Sequence, residues 1–186
     1  MMDATPSLDL QRVRISPLAD STPLQLFRCG SSEIDSWASK QAHKLSKIKR
    51  VKIFVAHDVD GQSVLGFYSL SLDSKDTRSL DKALRQFPHM PVVYITYIAV
   101  LRSIQRQKLG TTLLINALRR AYDVSQHIGF HGVALRSLNE DSARLYHRYG
   151  FRAIDNNHNP LMLLPIQALY DLINPGAPHN IPSRSD

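Results

Sequence analysis

VVYITYIAVLRSIQRQKLGTTLL (92–114) is the stretch on which the architecture turns. Its first nine residues are β-rich and barely alternate, as expected of a central strand covered on both faces. From Leu109 to about Gln126 the period changes: Leu113, Leu114, Ala117, Leu118 and Ala121 return at helical spacing. A strand, a tight loop and a helix N-terminus in succession aim unpaired backbone N–H groups and the positive end of a dipole at one place. Gly110 lets a ligand approach the backbone there, and Thr111 and Thr112 add hydroxyl donors. The junction predicts a phosphate-type anion site.

Upstream of it, Val13 and Ile15 alternate with Arg12 and Arg14, the pattern of a half-buried strand. A helix capped by Ser31 or Ser32 places Ile34, Trp37, Ala38, Ala42, Leu45 and Ile48 on one face. VKIFVAH (51–57) and VLGFYSLSL (64–72) are strands joined by a turn at DVDG (58–61). Residues 73–91 are polar and read as a loop with a short helix at 79–86. Downstream come a strand at 132–137, a helix opened by Asn139 or Asp141 and closed by Gly150, strands at 151–154 and 161–164, and a helix at 166–172. Interleaved strands and helices predict a mixed α/β sheet of six or seven strands covered on both faces. Residues 1–173 form one domain behind a loose leader at 1–9, and 174–186, rich in Pro and polar residues, form a flexible tail.

Composition narrows the class. The chain has 186 residues, room for one ordinary domain. No apolar run reaches the roughly 18–20 residues that span a bilayer, and the first residues lack the pattern of a secretory signal. Cys29 is the only cysteine, which excludes an intrachain disulfide, and the eight histidines show no metal-site spacing. The chain reads as cytoplasmic, with no metal and no membrane partner. Its net charge of +7 is unevenly spread. Between Asp35 and Asp58 stand Lys40, Lys44, Lys47, Lys49, Arg50 and Lys52 with no acid, and 82–122 is acid-free as well. Such stretches suit a polyanion.

IAVLRSIQRQKLGTTLL resembles the acyl-CoA loop of the GNAT family of N-acetyltransferases, whose pattern is Gln/Arg-x-x-Gly-x-Gly/Ala after a Leu-Ala-Val strand end. Ile98, Ala99, Val100, Gln105 and Gly110 match. Lys108 stands where the first glycine belongs, and Arg106 replaces another frequent glycine. NEDSARLYHRYGF (139–151) is similar to the family's second segment, with Asn139, Ser142, Tyr146, Gly150 and Phe151 in place. FRCGSSEIDSWASKQA (27–42) resembles the opening of the GNAT toxins of toxin–antitoxin pairs, which acetylate the α-amine of aminoacyl-tRNA. Tyr97 departs from them, because the toxins often carry arginine there.

The resemblance implies a GNAT fold with a mostly antiparallel sheet, acetyl-CoA as acetyl donor and direct attack by the amine. Tyr146 would protonate the departing thiolate, with Tyr149 three residues beyond the pattern. The cofactor would lie on Ile98, Ala99, Val100, Gln105, Arg106, Gln107, Lys108, Leu109, Gly110, Thr111, Thr112, Asn139 and Ser142. A basic helix over 40–52, through Lys44, Lys47, Lys49, Arg50 and Lys52, would contact tRNA. The partners implied are aminoacyl-tRNA, a ribbon-helix-helix antitoxin and a second copy in a homodimer. The alternatives are a GNAT enzyme acting on a small-molecule or peptide amine and an inactive GNAT-fold binding module. The central strand offers no Asp or Glu as a base, which suits an α-amine that titrates near 7.7–8.0 rather than near 10.4. A water held by Thr96 would take its proton.

Overall fold

The computed structural model describes residues 7–60, 63–78, 82 and 88–176. The apolar run at 92–100 belongs to β4 (His89–Val100), the middle strand of one seven-stranded sheet ordered β1-β2-β3-β4-β5-β7-β6. Its companions are β1 (Val13–Pro17), β2 (Lys52–Asp58), β3 (Val64–Asp76), β5 (Gly132–Arg136), β6 (Arg152–Ala153) and β7 (Leu161–Pro165). Every neighbouring pair is antiparallel except β4 and β5. The helices are α1 (Ser32–Lys40), α2 (Ala42–Lys47), α3 (Leu109–Ser125), α4 (Glu140–Arg148) and α5 (Ile166–Ile173). This is the predicted mixed α/β fold.

Strand alternation divides the core between the two faces. Ala56, Tyr68, Leu70, Val93 and Ile95 turn toward α3 and bury Leu113, Leu114, Ala117, Leu118 and Ala121. Ile53, Val55, Phe67 and Ala99 turn the other way and meet Phe27, Ile34, Ala38 and Ala42. A fully buried leucine contributes about 1.5–3 kcal/mol, so the stripe on α3 fixes that helix and the position of its N-terminus.

The parallel register of β4 and β5 runs from Val92↔Gly132 to Ile95↔Leu135 and ends there. On its other edge β4 continues along β3 as far as Gly66↔Val100. Between Tyr68↔Ile98 and Leu70↔Ile95 it carries one residue more than β3, a bulge at Thr96–Tyr97. The buried Ser69 supplies an acceptor at this point, its Oγ taking the Tyr97 N–H at 3.3 Å. Beyond Ile95, therefore, β4 leaves β5, and the edge facing β5 has no strand partner among the described residues.

Four expectations change. Residues 73–76 and 89–91 extend the β3–β4 ladder rather than forming a loop, because polar side chains alternate along its far end. The single helix expected over 31–48 breaks at Gln41, and the turn presses Ala42 into the core while Ile48 swings out to 63% exposure. The basic stretch is consequently no helix over 40–52: it runs through α2, the left-handed Lys49 and the first residue of β2. The leader is not loose throughout, since the Leu8 N–H donates to Gln107 Oε1 at 2.6 Å. The short helix expected at 79–86, all but Lys82, and the tail from 177 lie outside the described residues.

Gly132 marks the tightest backbone approach. A Cβ there would sit 2.2 Å from the Leu164 carbonyl oxygen of β7. Gly132→Ala should therefore destabilise the fold by about 3 kcal/mol, read as a lower denaturation midpoint at unchanged m-value.

Candidate functional site

The loop between β4 and α3 reaches its conformation at a cost. Among the described non-glycine residues only Lys49, Arg106 and Lys108 have positive φ, and two of them lie in this loop, at 63° and 68°. These are the positions where the sequence pattern expects glycine. An L-residue in the left-handed region costs about 1 kcal/mol, so the loop holds two strained cations where unstrained glycines would serve.

Lys108 is the N-cap of α3, and the first intrahelical bond runs from the Thr112 N–H to its carbonyl at 3.1 Å. The N–H groups of Leu109, Gly110 and Thr111 therefore have no acceptor within the helix. A Cβ on Gly110 would meet only Val100 Cγ2 at 3.7 Å, so the absent side chain leaves the approach to these amides open. Beside them lies a cleft of about 430 Å³, lined by Val100, Gln105, Arg106, Lys108, Gly110, Thr111, Asp141, Leu145 and Arg148. Three of these residues are cations, and the one acid, Asp141, is paired with Arg144. Open helix amides with three cations form a site for a polyphosphate group, and the residues present fit the diphosphate of a coenzyme A thioester.

The loop is bolted to the opening segment of the chain. Gln105 Nε2 donates to the Cys29 carbonyl at 2.7 Å and the Val100 carbonyl at 3.1 Å. The Arg102 N–H donates to the Arg28 carbonyl at 3.0 Å. Gly30, at φ +94°, packs against the Arg102 side chain, where an added Cβ would meet Arg102 Cδ at 3.5 Å. Asp35 closes the turn, accepting the Cys29 N–H at 2.8 Å and the Gly30 N–H at 3.4 Å. Ser31 is the N-cap of α1 but forms no side-chain cap bond.

The expected cofactor residues thus separate by surroundings. Val100, Gln105, Arg106, Lys108, Gly110 and Thr111 meet in the cleft. Ile98 and Ala99 continue β4 beside it, and Leu109 is core. Gln107 ties down Leu8, and the Thr112 hydroxyl donates to the Lys108 carbonyl at 3.3 Å. Asn139 and Ser142 form the capping box of α4, with the Ser142 N–H on Asn139 Oδ1 at 2.9 Å and the Asn139 N–H on Ser142 Oγ at 3.1 Å. Asp141, Leu145 and Arg148 were not anticipated, although their i, i+4, i+7 spacing puts them on one face of α4.

Tyr146, on the adjacent face of α4, enters the gap where β4 parts from β5, with Ile95, Thr96, Tyr97, Ile98 and Leu135. Its ring packs on Phe151, and its hydroxyl makes no hydrogen bond among the described residues. Burial pushes its pKa up to about 12, so the proton stays on oxygen at neutral pH. Tyr149 instead lines a hollow with Arg119 and Leu172.

The basic cluster divides. Lys44 and Lys47 lie on α2, followed by Lys49 and Arg50, all exposed and in no ion pair among the described residues. Lys52 turns to the α3 face of the sheet, into a groove with Phe54 and Arg120. Arg120 is itself engaged, stacked 3.9 Å over Phe54 and donating to the Tyr68 hydroxyl at 2.9 Å.

Replacing Lys108 by glycine separates strain from binding. Lys108→Gly should stabilise the free protein by about 1 kcal/mol, raising Tm by about 2–4 °C. It should also weaken coenzyme A binding in titration calorimetry, most of all at low salt where the lost charge is least screened. Tighter binding would show that the side chain only obstructs the cleft.

The model of the acetyltransferase (GNAT) family matches residues 23–151. The chain is 31% identical over 159 residues to "Probable toxin TacT" of Sinorhizobium fredii (strain NBRC 101917 / NGR234), covering 79% of this chain and 87% of that protein. It is 26% identical over 149 residues to the "tRNA-acetylating toxin" of Mycobacterium tuberculosis (strain ATCC 25618 / H37Rv), covering 79% and 89%. The same fold occurs in AtaT complexed with acetyl-methionyl-tRNAfMet, with TM-score 0.75 and 22% identity over 87% of this chain and 99% of that one. It occurs also in a Tyr→Phe variant of AtaT bound to the C-terminus of the antitoxin AtaR, with TM-score 0.74 and 22% identity over 88% and 99%. With the family model spanning both the loop and Tyr146, the chain belongs to the GNAT family of acetyltransferases.

Proposed function

We propose that this chain is a toxin-type N-acetyltransferase that moves the acetyl group of acetyl-CoA to the α-amine of aminoacyl-tRNA and so blocks translation. The observation that carries the reading is the match over 79% of the chain to the Sinorhizobium and Mycobacterium toxins. Residues 1–173 act as one acetyltransferase domain with 174–186 as its tail. The partners are aminoacyl-tRNA, a cognate ribbon-helix-helix antitoxin and a second copy in a homodimer, and the place of action is the cytoplasm, where charged tRNA is made. Incubation with acetyl-CoA and total charged tRNA, followed by mass analysis of the acylated ends, tests it. Aminoacyl ends should gain one acetyl group, and unchanged masses throughout would rule the reading out.

The thioester supplies an activated acyl carbon. The first-turn amides of α3, with Arg106, Lys108 and Arg148, hold the phosphates, and Val100 and Leu145 supply apolar wall. Asn139 and Ser142 contribute by fixing the start of α4 and hence the direction of Tyr146. Tyr146 gives its hydroxyl proton to the departing sulfur, whose thiol form titrates near 8.5. A tyrosine near 12 is a weak acid for that role, so its proton moves only as negative charge builds on sulfur.

Tyr146→Phe keeps the ring on Phe151 and removes the proton. Turnover should fall by about 10²–10⁴, with Tm and the thermal shift from acetyl-CoA unchanged. The unmodified enzyme should show no falling limb of activity between pH 7 and 9, because the Tyr146 proton leaves only near 12.

The tRNA phosphates are met by Lys44, Lys47, Lys49 and Arg50. Each phosphate contact releases condensed counterions, so affinity falls steeply with salt. Replacing Lys47, Lys49 and Arg50 with Gln should weaken tRNA binding and flatten its salt slope, measured by filter binding between about 50 and 200 mM salt. Acetylation of a short aminoacyl mimic should be unaffected.

A further inference from the structure

An amine nitrogen that bonds to an acetyl carbon must give up a proton, and no Asp or Glu lies on the central strand to accept it. The fold brings one from α1. Glu33, in the first turn of that helix, accepts the Tyr97 hydroxyl at 2.9 Å. Tyr97 stands at the β4 bulge and borders the gap into which Tyr146 projects from α4.

Three contacts hold Tyr97 in place. Its N–H is on Ser69 Oγ, its ring lies 5.0 Å from Trp37 at 59°, and its hydroxyl is on Glu33. Its side chain packs with the cluster beneath α1, whereas α3 and α4 frame the phosphate cleft from the other face. A thioester seated from the α3–α4 side leaves the α1 side as the approach for an amine. Asp35, two residues on, is not available for the same task, since its carboxylate closes the Cys29–Gly30 turn.

We propose, resting on the aminoacyl-tRNA reading above, that Tyr97 and Glu33 are the exit path for the proton of the acceptor amine. Tyr97 touches the amine, and Glu33 is the positioning residue that acts through it. The nitrogen lone pair forms the C–N bond while the C–S bond breaks. The N–H proton passes to Tyr97 Oη as the hydroxyl's own proton moves along the 2.9 Å bond to Glu33 Oε1. Glu33 is exposed and releases that proton to water. The sulfur takes its proton from Tyr146, which water restores. The sum is an amide and a thiol, with every proton accounted for. Burial, and then Glu33, push the Tyr97 pKa up to about 12, so Tyr97 passes a proton on only by receiving one. The charged and titratable groups acting on Tyr97 are Glu33 of α1 and Tyr94 of β4. Ser69 of β3 and Trp37 of α1, which also pack there, carry none, and Arg136 of β5, which lines the same gap, is engaged by Asp155 at 3.3 Å and the Asn159 carbonyl at 2.6 Å.

The test uses the full chain with acetyl-CoA and one charged tRNA, measuring kcat and KM for the tRNA from pH 6.5 to 8.5. Glu33→Gln keeps an oxygen for the Tyr97 hydroxyl but cannot take its proton, and Tyr97→Phe keeps the ring on Trp37. Both should lower kcat at least about tenfold near pH 7, with KM and the acetyl-CoA thermal shift unchanged. The loss should persist to pH 8.5, because the path carries the proton shed as the C–N bond forms, which the neutral form of an α-amine that titrates near 7.7–8.0 still holds. Glu33→Asp, which restores a carboxylate, should recover part of kcat. Unchanged kcat in Glu33→Gln, or a loss that vanishes by pH 8.5, overturns the exit path while leaving the functional reading intact. Should Tyr97→Phe fail to fold, Glu33→Gln alone decides, because position 33 is exposed. An unmodified enzyme that acetylates no aminoacyl-tRNA overturns the functional reading, and this proposal with it.

Discussion

One extra residue in β4 governs the rest of the structure. Up to Ile95 the strand is bonded on both edges, to β3 and to β5. The bulge at Thr96–Tyr97 turns it, and beyond that point only β3 remains a partner. A backbone edge without a partner is normally a liability, since its N–H and C=O groups must be satisfied by water or by another chain. Here the unpaired edge borders the gap that Tyr146 of α4 lines, inside the domain rather than at the rim of the sheet. The gap is lined by Tyr146 of α4 and bordered by Tyr97 at the bulge. A straight β4 would keep its pairing and close the gap.

The loop that follows shows how the same site can be built from different residues. Glycines are the usual occupants of left-handed positions because they adopt them without steric cost. Arg106 and Lys108 adopt them at a cost and add two positive charges at the mouth of the cleft. Strain of this kind persists where the surroundings enforce it. Gln105 bonding to Cys29 and Val100, Gln107 to Leu8, and the Arg102 N–H to the Arg28 carbonyl supply that enforcement. The opening FRCG segment is therefore structurally part of the β4–α3 loop, though about 75 residues separate them in the chain.

Local pattern made much of this legible. The central strand and the long α3 stripe are visible as periods, Asn139 as one of two candidate caps, and Tyr146 only through the family resemblance. What escaped depends on contacts between distant segments. The pairing of 73–76 with 89–92 has no apolar signature on the β3 side, where Asp73, Ser74, Lys75 and Asp76 are all polar, although Met90 and Val92 opposite them are buried. The kink at Gln41 follows from how α1 and α2 each fit the sheet, and no Gly or Pro announces it. Lys52 counts with its lysine neighbours in sequence, yet strand alternation turns it to the opposite face. The Glu33–Tyr97 hydrogen bond leaves no mark on the central strand, because the carboxylate is delivered from α1.

Charge is partitioned accordingly. The phosphate cleft gathers Arg106, Lys108 and Arg148 beside open helix amides, a field that favours a polyanion and disfavours a nearby ammonium. An α-amine is cationic below about 8, so it is better received on a face whose local charge is negative or neutral. Glu33 supplies that charge on the α1 side, while the exposed cations of α2 and the turn after it lie beyond it. Between these fields stand two phenols, Tyr97 and Tyr146, both pushed up to about 12, chiefly by burial. The linkage has a definite sign. A phenol raised from 10 stabilises the fold fully below pH 10, and that contribution is lost as pH climbs toward 12, when the unfolded chain ionises first. Across the working range both protons are thus held without loss of stability. The same burial that packs the rings keeps them neutral, with Glu33 at one hydroxyl and Arg136 lining the gap they share.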